Sequence, residues 1–184
     1  MSGVCAAVAR CVCGAVLLGS LACAGTPPQQ TSRGSQDLDP CPETPGQVTL
    51  NLANEERRLQ GLQPLQPDLL FLSAARAHAE DLARTGTISH EGSDGSTPGQ
   101  RVTAAGYVWT SVGENVAAGQ TSPEEVVAAW MKSEPHRRNL LDPRFTSAGM
   151  AAIDAQASRW RTCWVMVYAA GPQMPAHGSV RCHP

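Results

Sequence analysis

The run Trp130-Met131-Lys132-Ser133-Glu134-Pro135-His136-Arg137-Arg138-Asn139-Leu140-Leu141-Asp142-Pro143-Arg144-Phe145-Thr146-Ser147-Ala148-Gly149 is where this chain changes character. Helix signals dominate before it and strand signals after it. Ser122-Pro123-Glu124-Glu125 places a serine N-cap, a proline in the first turn and a glutamate three residues on, so a helix opens there and reaches Ser133. Past Gly149 the pattern turns to strands. Residues 148–155 are one candidate, and 160–169, rich in Trp, Val and Tyr, is the strongest in the chain.

Upstream, a helix is expected over 48–60, with Val48, Leu52 and Leu59 as its apolar points and Gly61 as its stop. Pro64 and Pro67 bracket a turn. A second helix over 68–85 has Asp68 as N-cap, Gly86 at its end, and Phe71, Ala75, His78 and Leu82 at helical spacing. His78 therefore reads as a core-facing helix residue. Thr97-Pro98-Gly99-Gln100 is a capping box opening a short helix to Ala105, before Gly106. Residues 112–118 are a further strand candidate. Helices first and strands late imply an α+β fold with helices packed on an antiparallel sheet.

The 184 residues hold one domain of ordinary size once the ends are set aside. Apolar residues make up 42 %, enough for a core, and the net charge of −2 argues against a nucleic-acid partner or a polybasic membrane surface. At 4 % aromatic content, a broad stacking platform for single strands is excluded as well.

Residues 1–24 read as an export signal. Arg10 is the sole charge before an apolar run from Val12 to Ala22, which is too short to span a bilayer. Ala22-Cys23-Ala24 fits ordinary small-x-small cleavage. Ser20-Leu21-Ala22-Cys23 is similar to a bacterial lipoprotein site, although Ser20 stands where leucine is usual; Cys23 would then be lipidated and tether the chain to a membrane. Both readings make the protein extracytoplasmic, either secreted or anchored to the cell envelope. Residues 25–46 are rich in Pro, Gln, Thr, Ser and Gly and read as a disordered linker. The domain is expected over 47–172, with 173–184 as a tail holding His177 and His183.

There are seven cysteines, and Cys5, Cys11 and Cys13 leave with the signal. Cys41, Cys163 and Cys182 remain, enough for one disulfide and one leftover thiol. Cys41 and Cys182 flank the domain, and pairing them would tie its ends together. No C-x-x-C occurs in the mature part, so the thiols do not point to zinc.

Four segments carry residues suited to chemistry: Thr87-Ile88-Ser89-His90, Gly113-Glu114-Asn115-Val116-Ala117, Trp130-Met131-Lys132-Ser133 and His136-Arg137-Arg138-Asn139-Leu140-Leu141. None has a local metal-ligand spacing such as H-E-x-x-H. Each also has a plainer reading. His90 suits a surface position after a helix end; Glu114 suits a turn, accepting backbone N–H groups. His136 suits a cap on the preceding helix, whose C-terminal dipole favours a cation. Arg137 and Arg138 suit solvated or acid-paired positions. No Gly-x-Ser-x-Gly elbow surrounds Ser133, which argues against a nucleophile. Ser133 and His136, three apart, share a face if one helical turn contains both.

In order and wording these segments resemble the bacterial branch of the CAP superfamily, the cysteine-rich secretory, antigen 5 and pathogenesis-related proteins. The resemblance rests on Asn54, Arg57 and Gly61-Leu62-Gln63-Pro64-Leu65, on Ser89-His90, on Gly113-Glu114-Asn115, and on the run from Trp130 to Gly149. It covers about 48–170. It implies an α-β-α sandwich with a cleft lined by two histidines and two acidic residues, the histidines holding a divalent metal in some members. His90, Glu114 and His136 match those positions; the second acidic position falls at Ser133, which removes a carboxylate. The implied role is an exported protein whose cleft binds a lipid-like ligand or an extracellular protein, with Zn2+ or another divalent cation held by His90 and His136. The alternatives are a metal-assisted peptidase or esterase in the same cleft, with Glu114 polarising water, and a non-catalytic envelope module. With one carboxylate missing, the reading leans away from an enzyme.

Overall fold

The structure, a computed structural model, describes residues 43–155 and 160–172. The signal, most of the linker, Cys23, Cys41, Cys182 and the C-terminal tail lie outside the described residues.

Helix α1 spans Pro45–Leu59. Thr44 caps it: its hydroxyl accepts from the Gln47 amide while its own amide donates to the Gln47 side chain, a reciprocal capping box with proline in the first turn. The helix thus starts ahead of the expected 48, and Pro45 and Gly46, assigned to the linker by composition, are its first residues. Its buried face also differs. Gly46, Thr49, Leu50, Ala53, Asn54 and Arg57 face inward, whereas Leu59 is 75 % exposed. Counting apolar residues misled because the inward face is half polar: Thr49 bonds back to the Pro45 carbonyl of its own helix, and Asn54 and Arg57 have tertiary partners. Asn54 pairs with both backbone groups of Leu65, at 3.0 and 2.7 Å. Arg57, 1 % exposed, donates to the carbonyls of Gln63, Leu140, Asp142 and Phe145 at 2.8–3.1 Å.

Helix α2 spans Leu69–Thr85; Asp68 accepts from the amides of Leu70 and Phe71, and Gly86 ends the helix at φ 68°. Phe71, Ala75, His78 and Leu82 are all buried, as their spacing requires. Helix α3 spans Pro98–Ala104 behind the expected Thr97–Gln100 capping box. Helix α4, Pro123–Lys132, is capped by Ser122; Ser133 ends it and begins α5, Glu134–Leu140. Glu125 accepts from the amide and hydroxyl of Thr121 rather than returning to the cap residue.

Four strands form one sheet in the order β1-β3-β4-β2: β1 Gln66–Pro67, β2 Ser111–Ala118, β3 Ser147–Asp154 and β4 Thr162–Ala170. The three long strands pair antiparallel, matching expectation to within two residues at each end. β1 runs parallel to β3 and makes the sheet mixed. With two residues it leaves no alternating pattern to read, and Pro67 sits where only a sheet edge tolerates it.

Helices cover both faces, giving three layers. On one face Cys163, Val165, Val167 and Ala169 of β4 pack with Phe71, Ala75, Ala79, Leu82 and Val102 from α2 and α3. On the other, Trp164, Met166 and Tyr168 pack with Leu50, Ala53, Val126, Trp130 and Leu140 from α1, α4 and α5. β4 is buried on both sides, hence its unbroken apolar run. Gly149 lets α2 approach β3: a Cβ there would lie 2.0 Å from the Leu72 nitrogen. β2 is the edge strand opposite β1, and its adjacent residues Glu114 and Asn115 point to opposite faces.

Candidate functional site

The Glu114 side chain is 1 % exposed, on the face of β2 covered by α2 and α3. A carboxylate there needs partners for both oxygens. Oε1 accepts from His90 Nδ1 at 2.9 Å; Oε2 accepts from Arg101 Nη2 at 2.8 Å. The plainer reading of Glu114 as an acceptor of turn amides is thereby replaced: it lies in a strand and takes side-chain donors. His90 sits in the connection between α2 and α3 with its ring 58 % exposed, so one edge is anchored and the rest faces solvent. A carboxylate accepts only, which places the proton on Nδ1 and leaves the Nε2 lone pair outward.

Arg101 holds more than the carboxylate. Its side chain is 9 % exposed; Nη2 also donates to the His90 carbonyl at 3.0 Å, and Nη1 donates to the Ser96 carbonyl at 2.7 Å. His78, buried in α2, donates from Nε2 to the Ser89 carbonyl at 2.9 Å and lies 3.8 Å from Glu114 Oε1. Its Nδ1 is buried without a hydrogen-bond partner among the described residues. Both residues escape a local sequence reading. Arg101 is 13 positions from Glu114, and His78 reads as core.

On the opposite face Asn115, fully buried, donates to the His136 carbonyl and the Tyr168 hydroxyl, each at 3.0 Å. Asn139 of α5 donates to the Glu114 carbonyl at 3.0 Å and to Asn115 Oδ1 at 3.1 Å, stitching the helix to the strand edge. Gly113 is required beneath them, since a Cβ would lie 2.8 Å from the Phe145 ring. Burial pushes the Tyr168 phenol far above its ordinary range, so it remains a neutral hydroxyl.

His136 lies in the first turn of α5, not as a cap on α4; Glu134 and Pro135 open the new helix where the chain bends at Ser133. His136 Nδ1 is 2.8 Å from Ser133 Oγ. Ser133 holds the N-cap position yet makes no side-chain bond to the helix backbone. Burial lowers the His136 pKa, and repulsion from His90 lowers it further. His90 thus belongs to the α2–α3 connection and His136 to α5, helices that cover opposite faces of the sheet. Of the neighbouring arginines, Arg138 pairs with Glu134 and Arg137 is exposed.

Among the described residues no group of three or more His, Cys, Asp or Glu is arranged to hold a metal. Cys163 is a free thiol buried on the α2 side of the sheet, its pKa raised by burial. Among the described residues no helix is long and apolar enough to cross a membrane.

An α-β-α domain whose edge strand carries a buried glutamate bonded to a histidine and an arginine is the class that fold and site define. The profile of CAP, the Cysteine-rich secretory protein family, matches residues 50–168, and the chain belongs to that family. It is 40 % identical over 106 residues to the uncharacterized protein YkwD of Bacillus subtilis (strain 168), spanning 58 % of this chain and 41 % of that protein. It is 29 % identical over 101 residues to the uncharacterized membrane protein YlbC of the same organism, covering 55 % of this chain and 29 % of that one. The chain therefore spans less than half the length of these relatives. A crystal structure of an extracellular protein containing a SCP domain, from Bacillus anthracis str. Ames, superimposes with a TM-score of 0.64 at 25 % identity, over 69 % of this chain and 40 % of that one. An outer surface protein of Borrelia burgdorferi shares the fold, with a TM-score of 0.62 at 23 % identity over 67 % of this chain and 90 % of that one.

Proposed function

We propose that this protein is exported and that the cleft between His90 and His136 binds a ligand, either lipid-like or part of an extracellular protein, without turning it over. The observation that carries this reading is how the polar atoms are spent. Both Nδ1 atoms are tied to the protein, by Glu114 and by Ser133, and both Glu114 oxygens are already engaged. Two ring nitrogens remain for a ligand, and the Glu114 carboxylate is not free to move protons.

A divalent cation such as Zn2+ suits the same atoms. His90 and His136 would hold it through Nε2, with Glu114 behind His90 orienting the ring. Two neutral imidazoles, with no third protein ligand among the described residues, make a labile site rather than a structural one. Such an ion would polarise a bound oxygen.

Export is supported by the N-terminal apolar run and by the extracellular and outer-surface character stated for the two structural neighbours. A tether through Cys23 and a disulfide between Cys41 and Cys182 belong to the same proposal.

One observation favours the hydrolytic alternative: the Ser133 hydroxyl lies at hydrogen-bonding distance from a neutral imidazole. Calorimetric titration of the purified mature chain with zinc, together with native mass spectrometry and ester and peptide turnover assays, separates the readings. Ligand binding predicts a copurifying molecule or modest zinc binding that is lost in His90→Ala and His136→Ala and weakens in acid. Turnover that vanishes in His136→Ala with the fold intact establishes the hydrolase. Neither binding nor turnover leaves a structural module.

A further inference from the structure

Arg101 lies on α3, is not among the motif residues that carry the resemblance, and its guanidinium is nearly enclosed at 9 % exposure. A buried cation is tolerated only with a partner and directed hydrogen bonds. It has one counter-charge, Glu114 Oε2 at 2.8 Å, and three neutral acceptors, the carbonyls of His90 at 3.0 Å and Ser96 at 2.7 Å and the Ser96 hydroxyl at 3.3 Å. One planar group therefore grips the carboxylate that anchors the His90 ring and the backbone that carries that ring.

We infer that Arg101 is the positioning residue of the His90 half of the cleft: by bridging Glu114 and the His90 main chain it fixes the imidazole with its proton on Nδ1 and its Nε2 lone pair toward the ligand. The geometry of the fork is what matters. Bonded through Oε2 to a rigid guanidinium, the carboxylate cannot turn, so Oε1 stays aimed at Nδ1. His78 braces the same loop from behind through the Ser89 carbonyl, so the segment entering His90 is held from α2 and α3 together.

The His136 half lacks such a device. Its Nδ1 meets a hydroxyl, which donates or accepts equally well, so Ser133 leaves both neutral tautomers open. The cleft accordingly presents one nitrogen fixed as an acceptor and one that adapts. This favours an occupant offering an electrophilic centre or a proton to His90, and tolerates either polarity at His136. The inference depends on the proposed function only for what Nε2 faces; the arrangement of the ring is a property of the free protein.

The test is 15N NMR of the imidazole nitrogens in the full mature chain, free of metal and ligand, at a pH where the rings are neutral. Wild type should show His90 almost wholly as the Nδ1–H tautomer and His136 as a mixture. In Arg101→Gln the His90 signals should shift to a mixture, with at least a several-fold rise in the Nε2–H fraction. In Arg101→Lys, which keeps the charge but loses the planar group's second nitrogen and its hold on Ser96, they should fall between. Arg144→Gln, which breaks an exposed pair with Asp142, should leave them unchanged. Should Arg101→Gln fail to fold, Arg101→Lys decides. A folded Arg101 variant with wild-type His90 signals overturns the inference, as does a wild-type His90 that is mainly Nε2–H. Because no ligand is added, either result leaves the binding proposal to stand or fall on its own titration.

Discussion

Glu114 and Asn115 are neighbours in one edge strand, and the two sides they face solve the burial of polar groups in opposite ways. The Glu114 side is ionic: a carboxylate at 1 % exposure meets a guanidinium and two imidazoles within 4 Å. The Asn115 side is neutral: amide, phenol and main-chain carbonyls satisfy one another, and its one buried cation, Arg57, is held entirely by carbonyl oxygens. Desolvation by burial lowers the Arg57 pKa, partly offset by attraction to the Asp142 carboxylate. Two buried arginines thus do different work. Arg57 ties α1 to the end of α5 and the turn before β3, which is scaffold, whereas Arg101 serves a side chain that reaches solvent. A buried charge marks a site only when what it holds is exposed.

The largest effect that sharpens this contrast is expected at Arg57. Arg57→Ala strips donors from four carbonyls, and unsatisfied buried acceptors cost about 1–3 kcal/mol each, so a loss of about 4 kcal/mol or more is expected in urea unfolding. Zinc or ligand affinity of the folded fraction should be unchanged. A loss below about 1 kcal/mol would break the assignment of Arg57 to the scaffold.

Charge exchange between the neighbours comes next. Glu114→Gln leaves Arg101 without its counter-ion, and Asn115→Asp puts a carboxylate opposite the His136 carbonyl and removes a donor. Each should cost about 2–4 kcal/mol despite near-identical shape. Only Glu114→Gln should disturb the His90 ring signals. Tolerance of Asn115→Asp would show that the second face is less neutral than described.

The smallest effect is in pH. The folded pKa of His136 lies below 6.5, owing to burial and to His90, so the unfolded chain binds the proton more readily. Its contribution to stability is whole above 6.5 and declines as pH falls from there toward the lowered folded value. The carboxylates of Asp81 and Asp142 have folded pKa values below 3.8, so their contribution is lost only in stronger acid. Stability measured between about pH 7 and 5 should slope downward, and the slope should flatten in His136→Phe. An unchanged slope would assign the effect elsewhere.

Much of the fold is legible along the chain because its signals are local. The caps at Asp68, Thr97 and Ser122, the αL stop at Gly86 and the doubly buried run of β4 each act within a few residues. The start of α1 is equally local, since Thr44 and Gln47 form a capping box, but linker-like composition masks it. Its inward face is not legible: Asn54 and Arg57 are buried by partners as far as 11 and 88 residues away. β1 escapes because two residues have no period.

The site divides along the same line. His90, Glu114, Ser133 and His136 are legible as residues suited to a cleft, through their order and wording, and the sequence by itself determined the capped helices and strands that bear them. Only the tertiary structure decided what each can do. It turned the carboxylate inward, spent both its oxygens, brought Arg101 and His78 behind it, and bent the chain at Ser133 so that the hydroxyl meets an imidazole instead of a helix amide. Local propensity acts over a turn or two of chain. The state of a buried charge is set by whatever the folded chain packs within a few ångströms of it, and those groups come from separate segments.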